Sequence, residues 1–375
     1  MSWKSVIGQE RIKTILKRSF TTDKTAHAYL FYGAEGTGKD AAAIAFAQLL
    51  NCENPVDGDT CDVCSHCKRI AALQHPNLKL IVPLPVGKSE KEGDDPFKHL
   101  DQKTISEYHQ AIKDKAGNPY GRIAITRANT IKINSIRDIR KTINLARAEE
   151  GKKIIIITEA DKMNPSAANS LLKTLEEPAP NTVIILTTAH RDALLPTIIS
   201  RCQLVRFELL REDEIRHGLM KQFKELDEQQ AILISKMANG SFSRAQELTG
   251  ADLVAQRGEM IDLLRNILAR SPSVWMKEIE AFITPKERYN IARSLMLLNL
   301  WLRDAMMMEN GNNEYVINLD QKEPLAKFTA HFDTSTLPAV INATERAIAL
   351  VEKNIYLSLI LINLAFDIRQ LIVRR

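Results

Sequence analysis

At 375 residues, with 45% hydrophobic and 26% charged side chains, the chain has the composition of a globular protein long enough for two or three cores. Its formal net charge of +5 is mild, and permits contact with nucleic acid without demanding it. Residues 1–11 are polar and mixed, unlike a secretory leader, and the longest apolar stretch, 355–366, is interrupted by Ser358 and Asn363. That stretch falls short of the roughly 20 residues a bilayer span needs, so a buried helix and a cytoplasmic location are expected.

In chain order, residues 28–32 form a short apolar run, followed by a glycine-rich loop and the Ala-rich stretch 41–50. That order predicts strand, loop and helix. Further strands are predicted at 78–82, 153–158, 183–187 and 204–207, each short and β-branched or apolar at most positions. Helices between them imply a parallel sheet covered on both faces. Residues 87–130 break the pattern and read as a charged surface insertion with one helix near 105–112. A helix beginning at Asn134-Ser135 sets Ile136, Ile139 and Ile143 on one face, with Arg137, Arg140, Lys141 and Arg147 elsewhere. Asn164-Pro165 caps another that runs through Leu171, Leu172 and Leu175 and stops before Pro178. After Leu209 the chain reads as wholly helical. An apolar stripe runs through Ile291, Leu295, Leu298, Leu302 and Ala305, and a last long helical region covers 347–372.

Two stretches carry nucleotide chemistry. Gly33-Ala34-Glu35-Gly36-Thr37-Gly38-Lys39 is a phosphate-binding loop, with glycines that let amides turn toward a phosphate and a lysine for its charge. The next residue, normally a Ser or Thr that ligates magnesium, is Asp40. Its carboxylate would reach a metal only through water and would repel phosphates. Residues 154–161, Ile-Ile-Ile-Ile-Thr-Glu-Ala-Asp, read as the second motif of such sites, with Thr158 where the metal-holding Asp is expected and Glu159 at the water-polarising position, where without a metal ligand beside it a solvated or helix-capping carboxylate is expected. Weak or absent hydrolysis follows; nucleotide held without turnover and an empty loop both remain open.

Cys52, Cys61, Cys64 and Cys67 cluster with spacings of eight, two and two residues, while Cys202 is remote. Four thiolates so spaced suit one tetrahedral, structural Zn2+. An iron–sulfur cluster and free reduced thiols are the rivals. His66 lies inside the knuckle as a spare donor.

The run from Thr158 to Met163, with Asn169-Ser170-Leu171-Leu172-Lys173-Thr174-Leu175-Glu176-Glu177-Pro178, resembles bacterial DNA polymerase III clamp-loader subunits, which are AAA+ proteins. Ile7-Gly8-Gln9-Glu10, His27-Ala28-Tyr29-Leu30-Phe31, the four cysteines and Ser200-Arg201-Cys202 fall in the same order, so the resemblance covers most of residues 1–250. It implies a P-loop α/β domain with a zinc module at 52–67 and the insertion at about 87–130 (residues 1–207). A helical lid (208–249) and an all-α collar for oligomerisation (250–375) follow.

The family's tau/gamma-type motor keeps both metal ligands, and its sensor-2 arginine falls at Ser243, whereas here Arg244 comes one place later. The chain also ends without the long tau-type tail. These departures favour the non-hydrolysing branch, with an active tau/gamma-type ATPase as the alternative. The resemblance further implies that Arg201 reaches a neighbour's ATP as an arginine finger. It implies partners in a hetero-pentamer with tau/gamma and delta subunits, a sliding clamp, and primer–template DNA near Arg137, Arg140 and Lys141. A solvated face is an equal reading of that helix. Thr187 or Thr188 would be the sensor after the fourth strand.

Overall fold

The structure, a computed structural model, describes residues 2–87, 90–144, 150–312, 315–353 and 355–372. The chain divides into two compact units, Met1–Gln222 with Ala238–Gln246, and Phe223–Met237 with Glu247–Arg375.

The first unit is built on a five-stranded parallel sheet of β1 (Ala28–Tyr32), β2 (Leu78–Ile81), β3 (Lys153–Ile157), β4 (Thr182–Thr188) and β5 (Gln203–Arg206), in the order β2-β3-β4-β1-β5. Every pairing is parallel, with Ala28 opposite Ile184 and Ile154 opposite Val183. The central strands are buried nearly throughout, as a sheet covered on both faces requires.

Helices α1 (Glu10–Thr21), α2 (Lys39–Leu50) and α3 (Ser65–Ala71) follow the N-terminal part of the chain. α2 is apolar all round, and all its residues but Asp40 are buried, which explains the run of alanines: small side chains let it sit deep against the sheet. Trp3, Tyr29 and Phe31 join Phe46 on that side, with Tyr29 edge-on to Phe46 at 5.4 Å.

The opposite face is covered by α5 (Ile133–Asn144) and α6 (Pro165–Glu176). Their Ile136, Ile139, Ala167, Leu171 and Leu175 pack against Ile155, Ile157 and Ile184. α6 begins as its sequence predicts: the Asn164 side chain accepts from the Ala167 amide, and Pro165 occupies the first turn. The short α7 (Pro196–Ile199) precedes β5, and α8 (Glu212–Gln222) follows it.

The insertion carries more order than its composition predicts. Its helix α4 (Gln102–Gly117) is twice the expected length; it starts three residues earlier, where Asp101 caps it by accepting from the Thr104 amide, and runs five residues further. Ile123 and Ile125 join Val82 and Leu84 in a small core, with Phe97, Tyr108 and Ile112 packed against it. A few apolar residues scattered among charges were enough to form this cluster, and periodicity does not reveal so sparse a core.

The second unit is helical: α9 (Glu228–Met237), the end of α10 (Phe242–Thr249), α11 (Leu253–Ala269), α12 (Pro272–Ile283), α13 (Arg288–Glu309), α14 (Lys322–His331), α15 (Leu337–Glu352) and α16 (Leu357–Ile372). The predicted stripe on α13 is wholly buried and meets Trp275, Leu325, Val340 and Leu361 in one core. The single region expected over 347–372 is two helices, α15 and α16. The apolar stretch supplies one face of α16, leaving Leu359 and Phe366 outside. None of the described helices is long and apolar enough to cross a membrane. Leu298→Ala opens a cavity in this core and should lower stability by about 2–5 kcal/mol, read by denaturant unfolding.

Candidate functional site

The phosphate loop leaves β1 and enters α2. Gly36 and Gly38 adopt positive φ of 72° and 95°. A Cβ on Gly36 would lie 2.0 Å from the Ser241 hydroxyl oxygen, so only glycine fits between the loop and the Gly240–Phe242 turn. That turn is pinned to the loop by the Phe242 amide, which donates to Gly36 O at 2.9 Å. Gln9 donates to Thr37 O and Glu208 O, which ties the Ile7-Gly8-Gln9-Glu10 segment to the same place.

Lys39 is buried and folds onto its own loop, donating to Gly33 O at 2.8 Å and Ala34 O at 2.6 Å. Burial holds its ammonium below the usual lysine range, against the raising effect of Asp40, Glu35 and Asp161.

Asp40 is the centre of the site. One carboxylate oxygen accepts from Lys115 Nζ at 2.6 Å, the other from the Thr187 hydroxyl at 2.7 Å. Lys115 belongs to α4 of the insertion; its side chain is 3% exposed, and it also donates to Gly121 O at 2.8 Å. Burial alone would push the Asp40 carboxyl up, but the Lys115 charge, the hydrogen bonds from Lys115 and Thr187, and Lys39 hold it below its ordinary value. Thr187 therefore serves Asp40, while Thr188 donates to Asp161.

At the second motif, Thr158 ends up buried, with its hydroxyl on Ile81 O at 3.3 Å. It brings no carboxylate to the site. Glu159 is neither free nor a cap: one oxygen takes both Arg122 at 3.0 Å and Lys162 at 2.6 Å.

Ser200-Arg201-Cys202 lies between α7 and β5. Arg201 is about one-third exposed; it pairs with Glu176 of α6 at 2.8 Å and donates to Thr197 O at 2.9 Å. Cys202 is a packed residue, its thiol pushed up to about 12 by burial.

The four clustered cysteines converge, all sulfurs lying within 4.8 Å of one another. Cys61 and Cys67 sulfurs are 3.9 Å apart, close to the roughly 3.8 Å expected between two thiolates on one tetrahedral zinc. Amides of Cys61, Cys64 and Cys67 point at the sulfurs of Cys52, Cys61 and Cys64, a donor pattern that favours thiolates. His66 is occupied elsewhere, by His75 at 2.8 Å and Glu53 at 3.2 Å.

On α5, Arg140 and Lys141 are exposed, whereas Arg137 is half-buried and paired with Glu92. Arg147 lies outside the described residues.

Reading the motifs alone missed Lys115, Tyr120, Arg122 and Glu176. A carboxylate at position 40 announces a need for a cation. Nothing in the sequence says that the insertion supplies it from 75 residues away.

Lys115→Ala would leave a half-buried carboxylate without its cation. It should cost on the order of 2 kcal/mol, less than for a fully buried pair because Asp40 keeps a quarter of its exposure. Because the folded-state value of Asp40 is depressed, its contribution is present above its ordinary 3.8 and lost as pH falls below that. Asp40→Asn should flatten the acid limb of the stability curve, read by urea midpoints from neutral pH to below 4.

Residues 8–211 match the family described as DNA polymerase III, delta subunit. The delta-prime subunit of DNA polymerase III from Bacillus subtilis is 29% identical over 355 residues, which is 92% of this chain and 93% of that protein. The delta-prime subunit of Pseudomonas aeruginosa is 28% identical, over 66% of this chain and 64% of its own. The tau subunit of B. subtilis is 30% identical, over 66% of this chain but only 37% of its own length. With more than half of its residues matched to the family and a delta-prime relative aligned almost end to end, the chain belongs to the DNA polymerase III delta-subunit family of clamp-loader proteins.

Proposed function

We propose that the chain is a delta-prime-type clamp-loader subunit that does not hydrolyse ATP and instead supplies Arg201 to the ATP of a neighbouring motor subunit. One observation carries this reading. The carboxylate at the loop's metal position is neutralised by Lys115 and hydrogen-bonded by Thr187, and the second motif has Thr158 at its metal position. Magnesium would have to displace an ammonium ion that already satisfies Asp40. Arg201 meanwhile stays partly exposed, held by Glu176 and Thr197 O in a contact a phosphoryl group could replace.

In this reading the subunit acts with tau/gamma and delta subunits in a hetero-pentamer, which opens a sliding clamp and leaves it on primed DNA in the cytoplasm. Residues 1–207, 208–249 and 250–375 serve as P-loop domain, lid and collar. Arg140 and Lys141, with Arg137 once released from Glu92, would meet DNA phosphates without reading sequence. Cys52, Cys61, Cys64 and Cys67 would hold one structural zinc ion, which supplies a cross-link and no chemistry.

The decisive experiment reconstitutes the complex with Arg201→Ala. DNA-stimulated ATP turnover should fall by at least about 10³ if the finger acts at a site where it dominates, while assembly on gel filtration persists. Normal turnover by that complex would sink the finger. Turnover by the isolated chain at a motor subunit's rate would favour the tau/gamma-type alternative. Elemental analysis of the same sample should return one zinc per chain, and chelation should lower the melting temperature without changing turnover by the complex beyond the loss of folded subunit.

A further inference from the structure

The insertion makes three separate contacts with the degenerate nucleotide site. Lys115 binds Asp40, the residue at the metal position. Arg122 binds Glu159, the residue at the water-polarising position. Tyr120 covers the loop itself: it is 7% exposed, and a Cβ on Gly38 would come within 2.9 Å of its hydroxyl oxygen. That hydroxyl accepts from the Ile7 amide at 2.7 Å, and the ring lies edge-on to Phe242 at 4.9 Å.

Three further hydrogen bonds hold the segment down. The Ser243 hydroxyl donates to Tyr120 O at 2.7 Å, and Asn118 exchanges hydrogen bonds with Gln246 at 2.9 and 3.2 Å. All of these residues lie within the first unit.

We infer that residues 115–122 are an internal occupant of the nucleotide site, closing it to ATP and replacing magnesium and nucleotide with side chains of the same chain. The inference rests on the reading that this subunit does not turn over ATP, and it adds a cause and a consequence. The cause is occupancy, since a phosphate approaching Gly38 meets Tyr120 and a cation approaching Asp40 meets Lys115. The consequence is that the first unit is fixed in one nucleotide-independent state. The site's three cationic and aromatic contacts do the cross-linking that bound nucleotide would otherwise do. Ser243, at the position of the motor's sensor arginine, takes part by binding the occupant.

The test compares the unmodified full-length chain with a variant combining Asp40→Thr, Lys115→Met and Tyr120→Ala. The first two changes remove both charges of the pair together, so neither is left buried alone. Equilibrium dialysis with radiolabelled Mg-ATP should detect no saturable binding by the unmodified chain at millimolar nucleotide. A segment that vacates the site about 1% of the time weakens apparent binding about hundredfold, so the variant should show saturable binding at least about tenfold tighter than the detection limit that the unmodified chain fails to reach. A folded variant, judged by zinc content and circular dichroism, that still excludes ATP would overturn the inference.

Hydrogen–deuterium exchange on the unmodified chain gives a second reading that needs no variant. Amides of 36–42 and 115–122 should be protected and indifferent to added ATP. Saturable ATP binding by the unmodified chain, or ATP-dependent exchange in these segments, would also overturn the inference. If such binding came without turnover, the non-hydrolysing reading would stand while the occupant failed. Turnover would remove both.

Discussion

A carboxylate in the first turn of a helix that is otherwise buried has to be neutralised, and the first unit is organised around that requirement. Asp40 gains something from the positive end of α2. Its neighbours on the helix are alanines, however, and the Lys39 ammonium is spent on Gly33 O and Ala34 O. The cation comes from α4, and the second carboxylate oxygen is satisfied by β4. One side chain thus draws the insertion, the loop helix and the central sheet to a single point. At the loop's metal position the cation is an ammonium group of the same chain.

In the proposed reading, the missing metal ligands and the insertion contacts serve the same end. An Asp at position 40 is poor chemistry beside a triphosphate but good chemistry beside a lysine. Glu159 follows the same logic with Arg122 and Lys162. At the edge of the unit Arg201 keeps a weaker arrangement, one carboxylate and one carbonyl with a third of its surface open, the sort of contact that can be exchanged. The Lys115–Asp40 pair is sheltered and the Arg201–Glu176 pair is more open, so the second is the more readily exchanged.

Much of this architecture was legible in the sequence. All five strands could be placed from short apolar or β-branched runs, most plainly the central ones, because parallel strands covered on both faces have little choice of residue. The cap at Asn164-Pro165 and the stripe on α13 were equally plain. The cysteine cluster was visible because metal-type spacing is local. Non-local partnerships were not. Lys115 sits in a stretch whose charges suggested solvent, and no local rule links it to position 40. The start of α4 depended on one cap at Asp101, and its core on Ile123, Ile125, Val82 and Leu84, too few and too scattered to show a period. The break between α15 and α16 was hidden because no glycine or proline marks it in the sequence.

The central claim is an asymmetry: this subunit's own loop is closed while it serves the site of another. Photo-crosslinking with an azido-ATP in the fully assembled complex addresses it directly, because every subunit then competes for nucleotide under working conditions. The account predicts label on the motor subunits and none above background on this chain. Saturable label on this chain, mapped to the peptide carrying residues 33–40, would contradict it.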